Sequence, residues 1–263
     1  MLLLFTLLPK GKCFKNVLLK YDTNKKKGSL IEIKSNGKKI ESTSGLVYSG
    51  NYLCVGVQYH KDKDSIVIFD TYSDKVEIYK SKSKNIGSII SIYPGKLYLD
   101  SQDTNSISCI DFDPVNLSYF SDDVHYMFDK KISSEIRSLC NYKNVWFIAL
   151  QDKNKIVDLT NERIVYSDIK FPTSLFFNNN HRLCFIESGR NLFHCGDGIF
   201  IMKKSITKHL TTAIEDCNEG GYWITQGTDL HFINYDGDIL KCLDLSKWGH
   251  EYYNAIEARG RFL

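Results

Sequence analysis

Short runs rich in Val, Ile, Leu, Phe and Tyr alternate along this chain with clusters of Asn, Asp, Gly, Ser and Lys. The polar breaks recur every five to ten residues, and apolar positions at helical spacing are almost absent. That pattern predicts an all-β chain of many short strands joined by hairpins. The opening Leu2-Leu3-Leu4-Phe5-Thr6-Leu7-Leu8 fits it as a buried strand. With no basic segment and no small-residue cleavage site around it, this run does not read as a signal peptide.

A longer period overlies the short one. A small residue followed by Leu or Ile opens a run at Gly45-Leu46, Ser88-Ile89, Ser138-Leu139, Ser174-Leu175, Ala213-Ile214 and Ala255-Ile256, at spacings of 36 to 50 residues. Behind the first five comes a second apolar strand, as in Tyr52-Leu53-Cys54-Val55 and Tyr222-Trp223-Ile224. A third often closes on an acidic residue and a turn, as at Ile66-Val67-Ile68-Phe69-Asp70. In Tyr235-Asp236-Gly237 the Asp-Gly step is a strong hairpin signal. A fourth completes the clearest units, at 75–79, 163–166 and 238–242. Four strands per unit and six units over 263 residues predict a six-bladed β-propeller of four-stranded antiparallel blades, one domain covering 1–263.

The two ends of the chain fit together. Residues 2–34 supply three strands, and the missing first strand reappears as Asn254-Ala255-Ile256-Glu257-Ala258. The ring is then closed by a C-terminal strand joining the N-terminal blade, which removes exposed sheet edges. An alternative register makes Leu2 to Leu8 itself a first strand and leaves 254–258 without a place. The small openers have a steric reason, since innermost strands converge on the axis where little room remains for side chains.

At this level the chain resembles the six-bladed β-propellers. The resemblance spans the whole chain and is architectural: no WD dipeptide ends a blade, no kelch double glycine recurs and no YWTD sequence is present. It is also similar to small bacterial propellers of unassigned function. Propellers host enzymes, scaffolds and ligand sensors alike, so the resemblance implies a fold and no particular activity.

Composition narrows the setting. Charged residues are 25% and hydrophobic ones 43%, an ordinary globular balance that excludes a disordered chain. A net charge of +3 argues for neither nucleic acid nor an anionic membrane. No apolar stretch approaches the ~20 residues of a membrane helix. The eight cysteines are widely spaced, without a CxxC pair, and most sit in apolar runs such as Arg182-Leu183-Cys184-Phe185. They read as free, buried thiols in a cytoplasmic protein rather than zinc ligands or a disulfide framework.

Candidate chemistry gathers in the loops of one face. A Gln or Glu closes the second strand in five units, at Gln58, Gln102, Gln151, Glu187 and Gln226. Such a ring can line a polar pocket, or each group can tie down the backbone of its own loop. Arg137 stands just before an opener where the other units carry Ser44, Gly87, Thr173, Thr212 and Asn254. A long guanidinium there can clamp a ligand carboxylate or phosphate, or pair with Glu135 or Glu187. His60, His209 and His250 fall in the same loops. No HExxH or HxH pair exists, so a metal site would need ligands from separate blades, and none is expected. Ser188-Gly189-Arg190 reads as a plain turn, and residues 114–135 as a flap, a partner contact or a long fourth strand with its loop. No cofactor motif appears.

These readings predict a soluble binding module for a small polar ligand or a protein partner, without nucleic acid, membrane or cofactor. The ligand site would lie at the channel mouth around Arg137, Glu187, His209 and His250. The alternative is a hydrolase or lyase acting there on a polar, carbohydrate-like substrate, with Glu187, His209 and His250 as acid–base groups.

Overall fold

The computed structural model describes the backbone of residues 2–9, 17–32, 42–49, 52–58, 65–70, 76–80, 86–93, 96–101, 106–111, 125–126, 136–201, 209–246 and 250–259, with side chains at 19, 21–29, 136–201 and 209–246. No α-helix occurs among the described residues. The chain divides into two compact units, Met1–Ser133 with Asn254–Leu263, and Ser134–Tyr253.

The first unit begins with β1 (Leu2–Pro9), β2 (Val17–Asp22) and β3 (Lys27–Glu32). Next come β4 (Ser42–Ser49), β5 (Tyr52–Gln58), β6 (Ser65–Asp70) and β7 (Val76–Lys80). A third group is β8 (Ile86–Tyr93), β9 (Lys96–Ser101), β10 (Ser106–Asp111) and β11 (His125–Tyr126). The last two groups are four-stranded sheets in chain order, and within segment 114–135 the short β11 is an edge strand beside β10.

The second unit holds β12 (Ile136–Tyr142), β13 (Val145–Leu150), β14 (Lys155–Asp158) and β15 (Arg163–Tyr166). It continues with β16 (Pro172–Phe177), β17 (Leu183–Glu187), β18 (Leu192–Cys195) and β19 (Gly198–Ile201). Its third sheet is β20 (Leu210–Asp216), β21 (Gly221–Gln226), β22 (Asp229–Asn234) and β23 (Ile239–Asp244). Each sheet is antiparallel and ordered as the chain runs. A final strand, β24 (His250–Arg259), lies beside β1, giving the order β24-β1-β2-β3.

Acidic residues at strand ends build the hairpins. Asp22 Oδ1 accepts the backbone N–H of Asn24 and Lys25, and Asp216 Oδ1 accepts those of Asn218 and Glu219. Asp158 likewise accepts from Asn161 and Arg163. A carboxylate that closes its own turn spares the chain an unpaired backbone group. The Asp22 carboxyl is held below the usual range, first by the Lys25 hydrogen bond.

In the second unit the sheets pack face to face. Cys140, Phe147, Ala149 and Ile156 meet Ile169, Leu175, Leu183 and Phe185 across one interface. Across the next, Phe176, Cys184, Ile186 and Phe193 meet Leu210, Tyr222, Ile224 and Ile233. Leu183 and Phe185 thus serve one side of β17, while Cys184 and Ile186 serve the other. All five residues of β17 are buried, which is why Leu183–Ile186 reads as an unbroken apolar run rather than an alternating one. The fourth strands are the exposed edges, with Ile164, Ile199, Ile201, Ile239 and Leu240 open to solvent.

The small openers prove to be hydrogen-bonding devices. The first strand of each sheet in this unit shifts register at its opener, at Ser138, around Ser174 and before Ala213. A bulge releases backbone groups from the ladder, and the neighbouring sheet takes them up. Leu175 N–H donates to Ser138 Oγ at 2.8 Å. Ala213 N–H donates to Ser174 Oγ at 2.9 Å, and Ser174, at φ 52°, lies 3.2 Å from Ala213 O.

Candidate binding site

Strand pairing sets which residues share an end of each sheet. Ile136 stands opposite Leu150, Pro172 opposite Glu187, and Leu210 opposite Gln226. The start of each first strand therefore lies with the close of its second. Asparagines hold these ends together from sheet to sheet. Asn154 Oδ1 accepts Phe171 N–H at 3.1 Å, and Asn191 Oδ1 accepts Leu210 N–H at 3.0 Å. Both asparagines sit in the left-handed region that Asn tolerates, at φ 53° and 54°. The turns after β13 and β17 are thus fastened to the starts of the sheets that follow.

Glu187 is 1% exposed, and both its oxygens are engaged. Oε1 accepts the backbone N–H of Lys170 at 2.8 Å and lies 2.8 Å from the Arg190 guanidinium. Oε2 lies 3.0 Å from His194 Nε2. The His194 ring stacks on Phe185 with centroids 4.3 Å apart. Burial holds the His194 imidazole below its usual range, against the opposing effect of its hydrogen bond to the Glu187 carboxylate. The neutral ring accordingly donates Nε2–H to the carboxylate.

The turn after Glu187 is more than a plain turn. Ser188–Arg190 forms a 3₁₀ turn whose N–H groups at Ser188 and Gly189 donate to Phe171 O and Lys170 O. A Cβ on Gly189 would stand 2.7 Å from Lys170 Cβ and 2.9 Å from the Phe171 ring. Only glycine allows this approach.

Arg137 is exposed at the start of β12, and its Nε donates to Gln151 Oε1 at 2.5 Å. Gln226 is buried at the close of β21. His209 is exposed just before β20, and its carbonyl accepts Gly227 N–H at 3.3 Å. Arg137, Gln151, Glu187, His209 and Gln226 therefore stand at corresponding ends of three adjacent sheets. Arg137 is bonded to Gln151, and Glu187 to Arg190 and His194. Gln58 closes β5 and His250 opens β24, but their side chains lie outside the described residues, as do Gln102 and His60 entirely. Among the described residues no group of three His, Cys, Asp or Glu could hold a metal ion.

Sequence reading missed His194 and the two asparagines. His194 stands opposite Phe185, diagonally across the strand pair from Glu187. That relation becomes visible only once the hairpin register is known. Asn154 follows Gln151 by three residues and Asn191 follows Glu187 by four, a recurrence that was present in the sequence as a signal.

No family model matches the chain, and no curated protein matches it in sequence. The similarity lies in structure. A chain of the nidogen/laminin complex superposes with a TM-score of 0.70 at 12% identity, over 97% of each chain. A protein of unknown function from Bacteroides caccae gives 0.62 at 10% identity, again over 97% of each. A putative 6-phosphogluconolactonase from Bacteroides fragilis gives 0.62 at 8% identity, over 92% of this chain and 81% of that one. These are β-propeller-type proteins, and at such identities the likeness shows the fold alone. Among the described residues no helix is long and apolar enough to cross a membrane.

Proposed function

We propose that the chain closes into one six-bladed β-propeller, with residues 254–258 as the first strand of the blade begun by β1. It works in the cytoplasm as a binding module for a small polar ligand or for a protein presenting an anionic group. The observation that carries this reading is the contrast between Glu187 and Arg137. Both oxygens of the Glu187 carboxylate are engaged by Lys170, Arg190 and His194 within the protein rather than turned to a substrate. Arg137 is exposed at the same end of its sheet, beside Gln151. A guanidinium next to an amide suits recognition of a carboxylate or phosphate. The hydrolase or lyase alternative needs Glu187 as an acid or base, and its partners oppose that role.

The test is calorimetric titration with phosphate, citrate and gluconate, together with a pH-stat assay on aldonolactones. One of the anions should bind, and Arg137→Ala should abolish that binding while leaving the melting temperature unchanged. Lactone turnover that is lost in Glu187→Gln would replace this reading with the hydrolase. Anion binding that survives Arg137→Ala would move the site elsewhere.

A further inference from the structure

Cys184 and Cys195 stand directly opposite one another on β17 and β18. Gly196 N–H donates to Leu183 O at 2.9 Å, which makes Leu183 and Gly196 a hydrogen-bonded pair. The next pair inward, Cys184 and Cys195, is therefore a non-hydrogen-bonded one. In such pairs the Cα atoms approach to about 4.5 Å with side chains on the same face. That separation falls in the range a disulfide spans, about 4.4–6.8 Å between Cα atoms. Both residues are unbridged in this structure, at 0% and 6% exposure.

The surroundings of the two sulfurs differ. Asn178 Nδ2 donates to Tyr222 OH at 2.9 Å and lies 3.3 Å from Cys195 Sγ. With its oxygen accepting from Asn178, the Tyr222 hydroxyl is set to donate to Cys195 Sγ, 3.1 Å away. Cys195 thus receives two donors that favour a thiolate. Cys184 Sγ has the Arg182 carbonyl at 3.5 Å, an acceptor that favours a thiol. Cys195 is pulled below the usual thiol range, first by the hydrogen bond from Cys184, and Cys184 is pushed above it, first by that same bond and then by burial. Cys140, by contrast, is pushed up by burial. Cys195 also ends its strand, next to the Gly196 turn that the Arg182 side chain covers.

We propose that Cys184 and Cys195 form an oxidation site at which hydrogen peroxide closes a reversible cross-strand disulfide. The Cys195 thiolate attacks one peroxide oxygen, the O–O bond breaks, and hydroxide leaves to be protonated by the proton Cys195 had released. The Cys184 thiol then attacks the Cys195 sulfenic acid, and water departs with the Cys184 proton. Two thiols lose two electrons, and one peroxide becomes two waters.

The experiment treats the reduced full chain with hydrogen peroxide, then alkylates it with N-ethylmaleimide in denaturant and maps peptides without reduction. The expected product is a peptide linking Cys184 to Cys195, two hydrogens lighter than the reduced pair and separable by dithiothreitol, while Cys140 remains alkylatable. In Cys184→Ala, dimedone should trap Cys195 as the sulfenic acid. Below about pH 6, where the thiol form of Cys195 prevails, Tyr222→Phe should slow closure by up to about threefold, because losing the hydroxyl donor leaves less thiolate. Full alkylation of both residues after peroxide, whatever happens at the exposed Cys217 and Cys242, overturns the proposal. So does a link from either to a different cysteine.

Discussion

The Ser174 hydroxyl meets both backbone groups of Ala213 in the next sheet, accepting its N–H at 2.9 Å and standing 3.2 Å from its carbonyl. Ser174→Ala should cost about 1–3 kcal/mol by stranding the Ala213 N–H. Ser174→Gly loses the same hydroxyl but relieves a φ of 52°, a left-handed strain worth about 1–2 kcal/mol. Urea midpoints should therefore fall in the order wild type, Gly, Ala. An alanine variant more stable than the glycine one would refute this account of the opener.

The buried pair of Glu187 and His194 gives stability a pH dependence. An unfolded imidazole titrates near about pH 6.5, and burial holds the folded one lower. Below that pH the unfolded chain takes up a proton that the folded chain refuses. Stability is full above it and falls as the pH drops through the folded value. His194→Gln keeps an N–H donor for Glu187 and removes the titration, so melting temperatures should decline less from about pH 7.5 to 5.5. An unchanged slope would assign the effect to other groups.

Trp223 donates its indole N–H to Asp216 Oδ2 at 3.0 Å, and both side chains are buried. Asp216→Ala strands the indole and opens the turn that Oδ1 closes onto Asn218 and Glu219. The expected loss is about 2–3 kcal/mol, read from the urea midpoint. Asp216→Asn, which retains one acceptor oxygen, should fall between the alanine variant and wild type. Equal midpoints for all three would mean that the indole finds another partner.

Deleting residues 252–263 removes most of β24, the strand beside β1. If that strand closes a ring, the truncated chain should aggregate through the exposed edge of β1 or fail to fold. Retention of the full melting transition would eliminate closure at this position.

Much of this architecture was legible in the sequence because its causes are local. Period-2 patterning and Asp-containing turns mark strands and hairpins, and the recurrence of Ser138, Ser174 and Ala213 marks the repeat. The roles of those residues were less legible. Smallness explains why Ser174 fits, but its bonds run to a residue 39 positions away. Arg137 and Gln151 lie 14 positions apart, and only the pairing of β12 with β13 brings them together. Glu187 looked like a catalytic group by residue type, and the hairpin register that delivers His194 to it turns at Ser188–Arg190, packed so closely on Lys170 that position 189 must be glycine.

The asparagine joints bear on how such a chain can grow. The acceptor at Asn154 serves the start of β16, and the acceptor at Asn191 serves the start of β20. The β16–β19 sheet therefore carries one half of each joint, the Asn191 amide for its successor and the Phe171 N–H for its predecessor. A duplicated segment holding one sheet arrives with both halves in place and can be spliced between neighbours without a new contact being invented. Substitution at either half is felt by two sheets at once, so drift is restrained at the seams while the outward-facing fourth strands remain free to diverge.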